Sequence, residues 1–234
     1  MSETRGVLFD YGGTLVTFSY PTRDLLRVLR EFRPLIEAAT GAPAPEAESL
    51  LREVLHPLEE YISTMNEDEV EYMDVYRDSW RRAGLELPDG LLHDILDAEQ
   101  QCWDRAVRVD PDAVGLLSWL GARGIKRGIC SNAPFPAAMM RRQLETNGLA
   151  QLVDGVVFSS ELGRRKPSPD LYLAALDALG TSPETTLFVG DRPREDYAGP
   201  IAVGMRAVIL SRNGAHPGQG VPTIASLAEV AGIL

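Results

Sequence analysis

Apolar residues along this chain follow two different rhythms, and the change between them organises the reading. Val7-Leu8-Phe9, within residues 5–10, is a short unbroken run that predicts a buried strand. From about residue 22 to 105 the apolar positions recur at helical spacing, with no convincing strand. Leu25, Leu29, Phe32 and Ile36 mark the first helix, with Pro34 predicted to kink or break it. Gly41-Ala42-Pro43-Ala44-Pro45 separates it from the next. Met73, Tyr76 and Trp80 repeat the period ahead of a capping Gly84, and Pro88-Asp89 opens a further helix carrying Leu92, Leu96 and Trp103 on one face.

From about 106 onward helices and strands alternate. A helix over about 111–123 ends near Gly124 and gives way to a strand at 125–131. A second helix, about 134–147, precedes a short buried strand at 155–158. Ser168-Pro169 reads as an N-cap followed by proline at the first helical position, and Gly180 closes that helix. A strand at 186–189 ends at Gly190-Asp191, and a short helix leads to a last strand at 206–210. Such alternation implies an α/β protein with a doubly wound parallel sheet covered on both faces. The first strand belongs to the same sheet. Residues 17–105 are therefore expected to be an all-helical domain inserted into a core made of 1–16 and 106–234, with hinges near 16–20 and 104–110.

Composition narrows the function classes. The chain has 234 residues, 44% hydrophobic and 24% charged, which suits a globular protein with a sizeable core. A formal charge of −11 argues against a nucleic-acid partner, which needs a basic face. No apolar run is long enough to span a bilayer, and residues 1–9 carry no signal-like segment, so no membrane partner and a cytoplasmic location are expected. The two cysteines, Cys102 and Cys130, match no metal or redox spacing, and His56, His93 and His216 show no paired spacing for zinc.

The chemistry collects where strands end. Asp10 leaves the first strand and is followed by Tyr11-Gly12-Gly13-Thr14, and paired glycines allow close backbone approach to a phosphate or metal. The next core strand ends at Ser131-Asn132, and a later one at Gly190-Asp191, with Asp196 five residues on. Between them lies Lys166-Pro167, ahead of the capped helix. Lys166 is one of only two lysines in a chain rich in arginine, whereas Lys126 is expected to be solvated.

These four motifs, in this order and after these elements, resemble those of the haloacid dehalogenase (HAD) superfamily of aspartyl phosphotransferases. The resemblance implies a Rossmann-like core with a C1-type helical cap placed after the first motif. It also implies a phosphatase of a small phosphorylated metabolite, with Asp10 attacking phosphorus to form an aspartyl-phosphate. Mg²⁺ would be held by the Asp10 carboxylate, the Gly12 carbonyl and Asp191, with Asp196 behind them. That all-oxygen set suits a hard cation. Lys166 would offset charge on nucleophile and phosphate, Ser131 would donate to a phosphate oxygen, and Asn132 would orient its neighbours.

One position departs from the pattern. Most phosphatases of the superfamily carry a second aspartate two residues after the nucleophile, to protonate the leaving group and then activate water. Here that residue is Gly12. Losing a general acid–base costs on the order of 10²–10⁴-fold. Three readings stay open: a phosphatase with acid–base help from cap or substrate, another hydrolase such as a dehalogenase, and a phosphate-binding protein with little turnover. Residues 17–105 contain no lysine, which disfavours Schiff-base phosphonate cleavage, and Asp191 favours metal and phosphate over dehalogenation. Tyr11, Phe18 and Tyr20 are candidates for the site entrance, with packing between cap and core the plainer reading, for Phe18 above all. Tyr61, Tyr72, Tyr76, Trp80 and Trp103 read chiefly as core, and Arg164, Arg165, Arg192 and Arg194 chiefly as solvated.

Overall fold

The computed structural model describes residues 3–63, 66–212, 214 and 218–234; His216 lies outside them. β1 (Gly6–Phe9) is buried at every position, and its side chains alternate between two cores. Val7 and Phe9 pack with Leu116, Leu117 and Leu120 of α6 (Ala113–Ala122) and with Met140 and Leu144 of α7 (Ala137–Thr146). Leu8 faces the opposite layer, against Leu171, Tyr172, Ala175 and Leu179 of α9 (Pro169–Leu179). A strand sandwiched in this way needs the continuous apolar run seen in the sequence rather than alternation.

β1 pairs in parallel with β4 (Lys126–Ser131) on one side and with β6 (Thr186–Gly190) on the other. β5 (Gly155–Phe158) extends the sheet beyond β4, while β7 (Arg206–Leu210) and β8 (Thr223–Ile224) extend it beyond β6, giving the order β5-β4-β1-β6-β7-β8. The chain winds outward from β1 in one direction and then returns to wind in the other. Strand order reverses at β1, and in such sheets the crevice at the carboxyl ends of the central strands is where ligands bind.

β2 (Val16–Phe18) and β3 (Val107–Val109) form a separate antiparallel ribbon that the sequence reading did not contain. It falls where the chain leaves the sheet region and returns, at the two stretches expected to hinge. Between these strands the regular elements are helical: α1 (Thr22–Thr40), α2 (Ala47–Leu50), a π-helical turn at Leu51–Leu55, α3 (His56–Ile62), α4 (Tyr72–Arg82) and α5 (Asp89–Ala106). They enclose their own core, with Leu25, Leu29, Val54, Tyr76, Trp80, Leu92 and Leu96 buried. Pro34 does not break α1. The helix runs through it, because Leu25, Val28, Leu29 and Ile36 hold one face against this core, and the left-handed Gly41 ends it. α9 starts and stops where the sequence placed it, although Ser168 makes no side-chain cap hydrogen bond.

Candidate active site

The parallel register sets the site. Phe9 is level with Ile129 on β4 and Val189 on β6, so Asp10 leaves its strand beside the ends of two neighbours, where Ser131 and Asp191 lie one residue further along. The Asp10 amide donates to the Val189 carbonyl (2.9 Å) and continues the ladder, which fixes where its carboxylate points.

Asp10 is 6% exposed, and its Oδ1 accepts two hydrogen bonds, from Ser131 Oγ (2.8 Å) and Lys166 Nζ (2.8 Å). The same ammonium donates to Asp196 Oδ1 (2.6 Å). Asp196 Oδ2 accepts the backbone N–H groups of Asp191 (3.0 Å) and Arg192 (2.9 Å). With both oxygens engaged, Asp196 braces Lys166 and the Asp191 loop rather than reaching into the cavity. Burial alone would lower the Lys166 pKa, but Asp10 and Asp196 outweigh it and raise it. Burial pushes Asp196 up to about 6, with Lys166 opposing the shift. Asn132 holds the Lys166 backbone from both sides: its Oδ1 accepts the Lys166 N–H (2.7 Å) and its Nδ2 donates to the Lys166 carbonyl (3.2 Å).

Asp191 is the partly exposed member of the group. Its pKa is raised by burial and then by the neighbouring Asp10, and its Oδ1 is buried with no protein partner. One carboxylate oxygen from each of Asp10, Asp191 and Asp196 lies within 4.8 Å of the others. An unsatisfied buried carboxylate oxygen beside a second carboxylate fits a hard divalent cation, since either charge alone would be costly to bury. Gly13 serves this geometry. Its φ is +85°, and a Cβ there would collide with the Asp191 carboxylate.

Of the residues proposed from sequence, Asp10, Ser131, Asn132, Lys166, Asp191 and Asp196 converge in space. Tyr11 lines the cavity, but its hydroxyl is committed: it donates to Gln143 Oε1 (2.9 Å) and accepts from Asn147 Nδ2 (2.7 Å). Gly12 lines the cavity too, and its backbone is outside the left-handed region, so no conformational demand requires glycine there. The ring of Phe18 occupies the adjacent space, 3.3 Å from where a Cβ would sit.

The cavity has a volume of about 270 Å³. The sheet ends form its floor, and Phe18, Glu59, Ile62, Trp103 and Phe135 form walls that come largely from the helical block. Phe18 meets Trp103 edge-on (5.8 Å), as does Tyr20 (5.3 Å). Tyr72, Tyr76 and Trp80 are core as expected, whereas Tyr61 is exposed. Lys126 is exposed as expected.

Arg165 departs from its expected solvated role. It is 5% exposed and bonds the Ile62 carbonyl (2.8 Å) and Glu69 Oε1 (3.2 Å). Backbone bonds Arg165 N–Glu67 O (2.7 Å) and Glu69 N–Gly163 O (3.0 Å) complete a zipper between residues 67–69 and 163–165. Arg164 joins it by pairing with Asp68. Sequence reasoning also missed Arg212, which donates to the carbonyls of Gly13 and Thr14 (2.6 Å for Thr14) and pairs with Asp110 (2.8 Å), clamping the loop after Asp10. No motif marks Glu69 or Arg212, and Arg165 adjoins the motif lysine without its buried pairing being legible; their distant partners reveal all three.

A buried carboxylate at a strand exit, braced by lysine and serine and flanked by further carboxylates, thus sits at the switch point of a doubly wound α/β sheet. The profile of the haloacid dehalogenase-like hydrolases matches residues 4–204, and the chain belongs to that family. It is 43% identical over 103 residues to the phosphoglycolate phosphatase of Rhodospirillum rubrum, a match covering 44% of this chain and 42% of that protein. It is 29% identical over 210 residues to the glyceraldehyde 3-phosphate phosphatase of Methanopyrus kandleri, covering 89% of this chain and 84% of the relative. Among solved structures, a HAD phosphatase from Thermococcus onnurineus shares the fold with a TM-score of 0.67 at 24% identity, over 98% of this chain and 97% of the other. No helix among the described residues is long and apolar enough to cross a membrane.

Proposed function

We propose that this hydrolase is a Mg²⁺-dependent phosphatase of a small phosphorylated metabolite, acting through an aspartyl-phosphate on Asp10. The observation that carries the reading is the double engagement of Asp10 Oδ1 by Ser131 and Lys166, which leaves the other oxygen as the nucleophile. Asp10, Asp191 and the Gly12 carbonyl would hold Mg²⁺, with Asp196 fixing the Asp191 loop; the ion would neutralise charge on the phosphoryl group. Lys166 would offset the repulsion between a carboxylate and a phosphate dianion, and Ser131 would turn its hydroxyl to a phosphate oxygen. Residues 1–16 and 106–234 would act as the catalytic core and 17–105 as a C1-type cap. The phosphatase relatives named above act on small phosphorylated acids and aldehydes, which supports that substrate class.

Steady-state assay with p-nitrophenyl phosphate and Mg²⁺, alongside Asp10→Asn, tests the reading. Turnover that disappears in the variant supports it, and turnover retained by the variant refutes it. Phe18 beside Gly12 favours a second reading, a phosphate-binding protein with little turnover. That case would give a phosphoryl adduct in intact-mass spectra without steady-state release of phosphate.

A further inference from the structure

We propose that Glu59, a residue of the helical block, is the general acid–base of this site, doing the work that Gly12 cannot. The proposal rests on the phosphatase reading above and assigns the proton-transfer step within it. Glu59 lies on α3 and lines the same cavity as Asp10, Gly12 and Lys166. Its position is held. Ile62, one turn further along the same helix, accepts the Arg165 guanidinium through its carbonyl (2.8 Å), and Arg165 adjoins Lys166. The turn carrying Glu59 is thereby fastened to the loop that carries the lysine bonded to Asp10.

The surroundings suit a proton donor. Glu59 makes no ion pair among the described residues. The titratable groups packed near it are Tyr20 ahead of α1, Tyr72 on α4 and Glu99 on α5. Asp10, Lys166, Arg192 and Glu195 line the same cavity, and Arg165 is already taken by Glu69. Burial pushes the Glu59 carboxyl up to about 7, with the Tyr20 hydroxyl opposing the shift, so both protonation states are available near neutral pH. Phe18 fills the space beside Gly12, so the donor must come from another residue of the cavity lining.

The step balances. As an Asp10 oxygen bonds to phosphorus, the bond from phosphorus to the leaving oxygen breaks, and that oxygen takes the Glu59 proton to depart as an alcohol. The Glu59 carboxylate then removes a proton from water as the water oxygen attacks the aspartyl-phosphate. Asp10 is released as carboxylate, inorganic phosphate leaves, and Glu59 is protonated again.

Leaving-group dependence tests this. An alkyl phosphate such as β-glycerophosphate needs a proton on its leaving oxygen, whereas p-nitrophenyl phosphate needs little help. Glu59→Gln should lower kcat on β-glycerophosphate by about 10²–10⁴-fold. It should change the first chemical step on p-nitrophenyl phosphate, read as the burst of p-nitrophenol, by less than about tenfold. The unsubstituted enzyme supplies an independent reading: kcat on β-glycerophosphate should fall on a basic limb near pH 7, and the p-nitrophenol burst should not. Equal losses on both substrates, no loss on either, or no such limb would overturn the assignment while leaving the phosphatase reading intact. An enzyme inert toward both esters would remove the phosphatase reading itself, and this assignment with it.

Discussion

Replacing Arg165 by methionine is the sharpest structural test of how the helical block is held over the sheet. Arg165 and Glu69 are 6% and 1% exposed at their side chains and lie 3.2 Å apart. In Arg165→Met the Glu69 carboxylate stays buried, retaining the Ser159 hydroxyl and the Val70 N–H (2.9 Å) but no cation. The Ile62 carbonyl also loses its donor. Removing one partner of a dry ion pair costs about 3–5 kcal/mol, far more than the pair's net contribution against an apolar replacement. Urea unfolding, which does not screen charge, should therefore show a loss of that size in the unfolding free energy extrapolated to water. Adding Glu69→Gln removes the stranded charge, so the double variant should be more stable than the sum of the two single losses by about 1 kcal/mol or more. A single-variant cost below about 1 kcal/mol, or strict additivity, would refute the claim that a desolvated charge pair latches residues 67–69 to the Lys166 loop.

Metal and proton linkage give two further tests. If Asp191 holds Mg²⁺, a hundredfold excess of the ion over its Kd stabilises the native state by about 2.7 kcal/mol. Thermal unfolding with Mg²⁺ or EDTA should show that shift in the unsubstituted protein and little in Asp191→Asn, and an equal shift in both would contradict the site. Burial raises Glu99 from near 4.5 to about 8. Between those values the unfolded chain releases a proton that the native state keeps, so stability is full below about pH 4.5 and falls as pH rises, by up to about 1.4 kcal/mol per unit. Glu99→Gln should flatten the decline of Tm between pH 5 and 8. Glu59 is shifted in the same direction and leaves part of the slope in place, but an unchanged slope would refute the Glu99 contribution.

The periodicity of the chain determined its architecture. Continuous apolar runs such as Val7-Leu8-Phe9 suit strands buried on both faces, and their alternation with capped helices favours a parallel sheet as the way to bury them. The short ribbon of β2 and β3 was invisible because three-residue strands carry no period of their own and exist only by pairing across some ninety intervening residues. A break at Pro34 was wrongly allowed for the same reason: local propensity favours it, and packing of Leu29 and Ile36 overrides it.

At the site, residues at strand exits were legible because the parallel sheet converts strand ends into neighbours, so Asp10, Ser131 and Asp191 had to meet. Lys166 was legible from its motif and its rarity. Tertiary structure alone decided what surrounds them. Glu59, Glu69, Arg165 and Arg212 sit on helices and loops with no distinguishing pattern, and the charges they meet lie tens to hundreds of residues away. Likewise, the sequence could show that Gly12 lacks a side chain but not that Phe18 lies beside it and that Glu59 lines the same cavity. Spacing along a chain encodes which face of an element is apolar. Which distant charges share a cavity depends on how the elements pack, and that information is non-local.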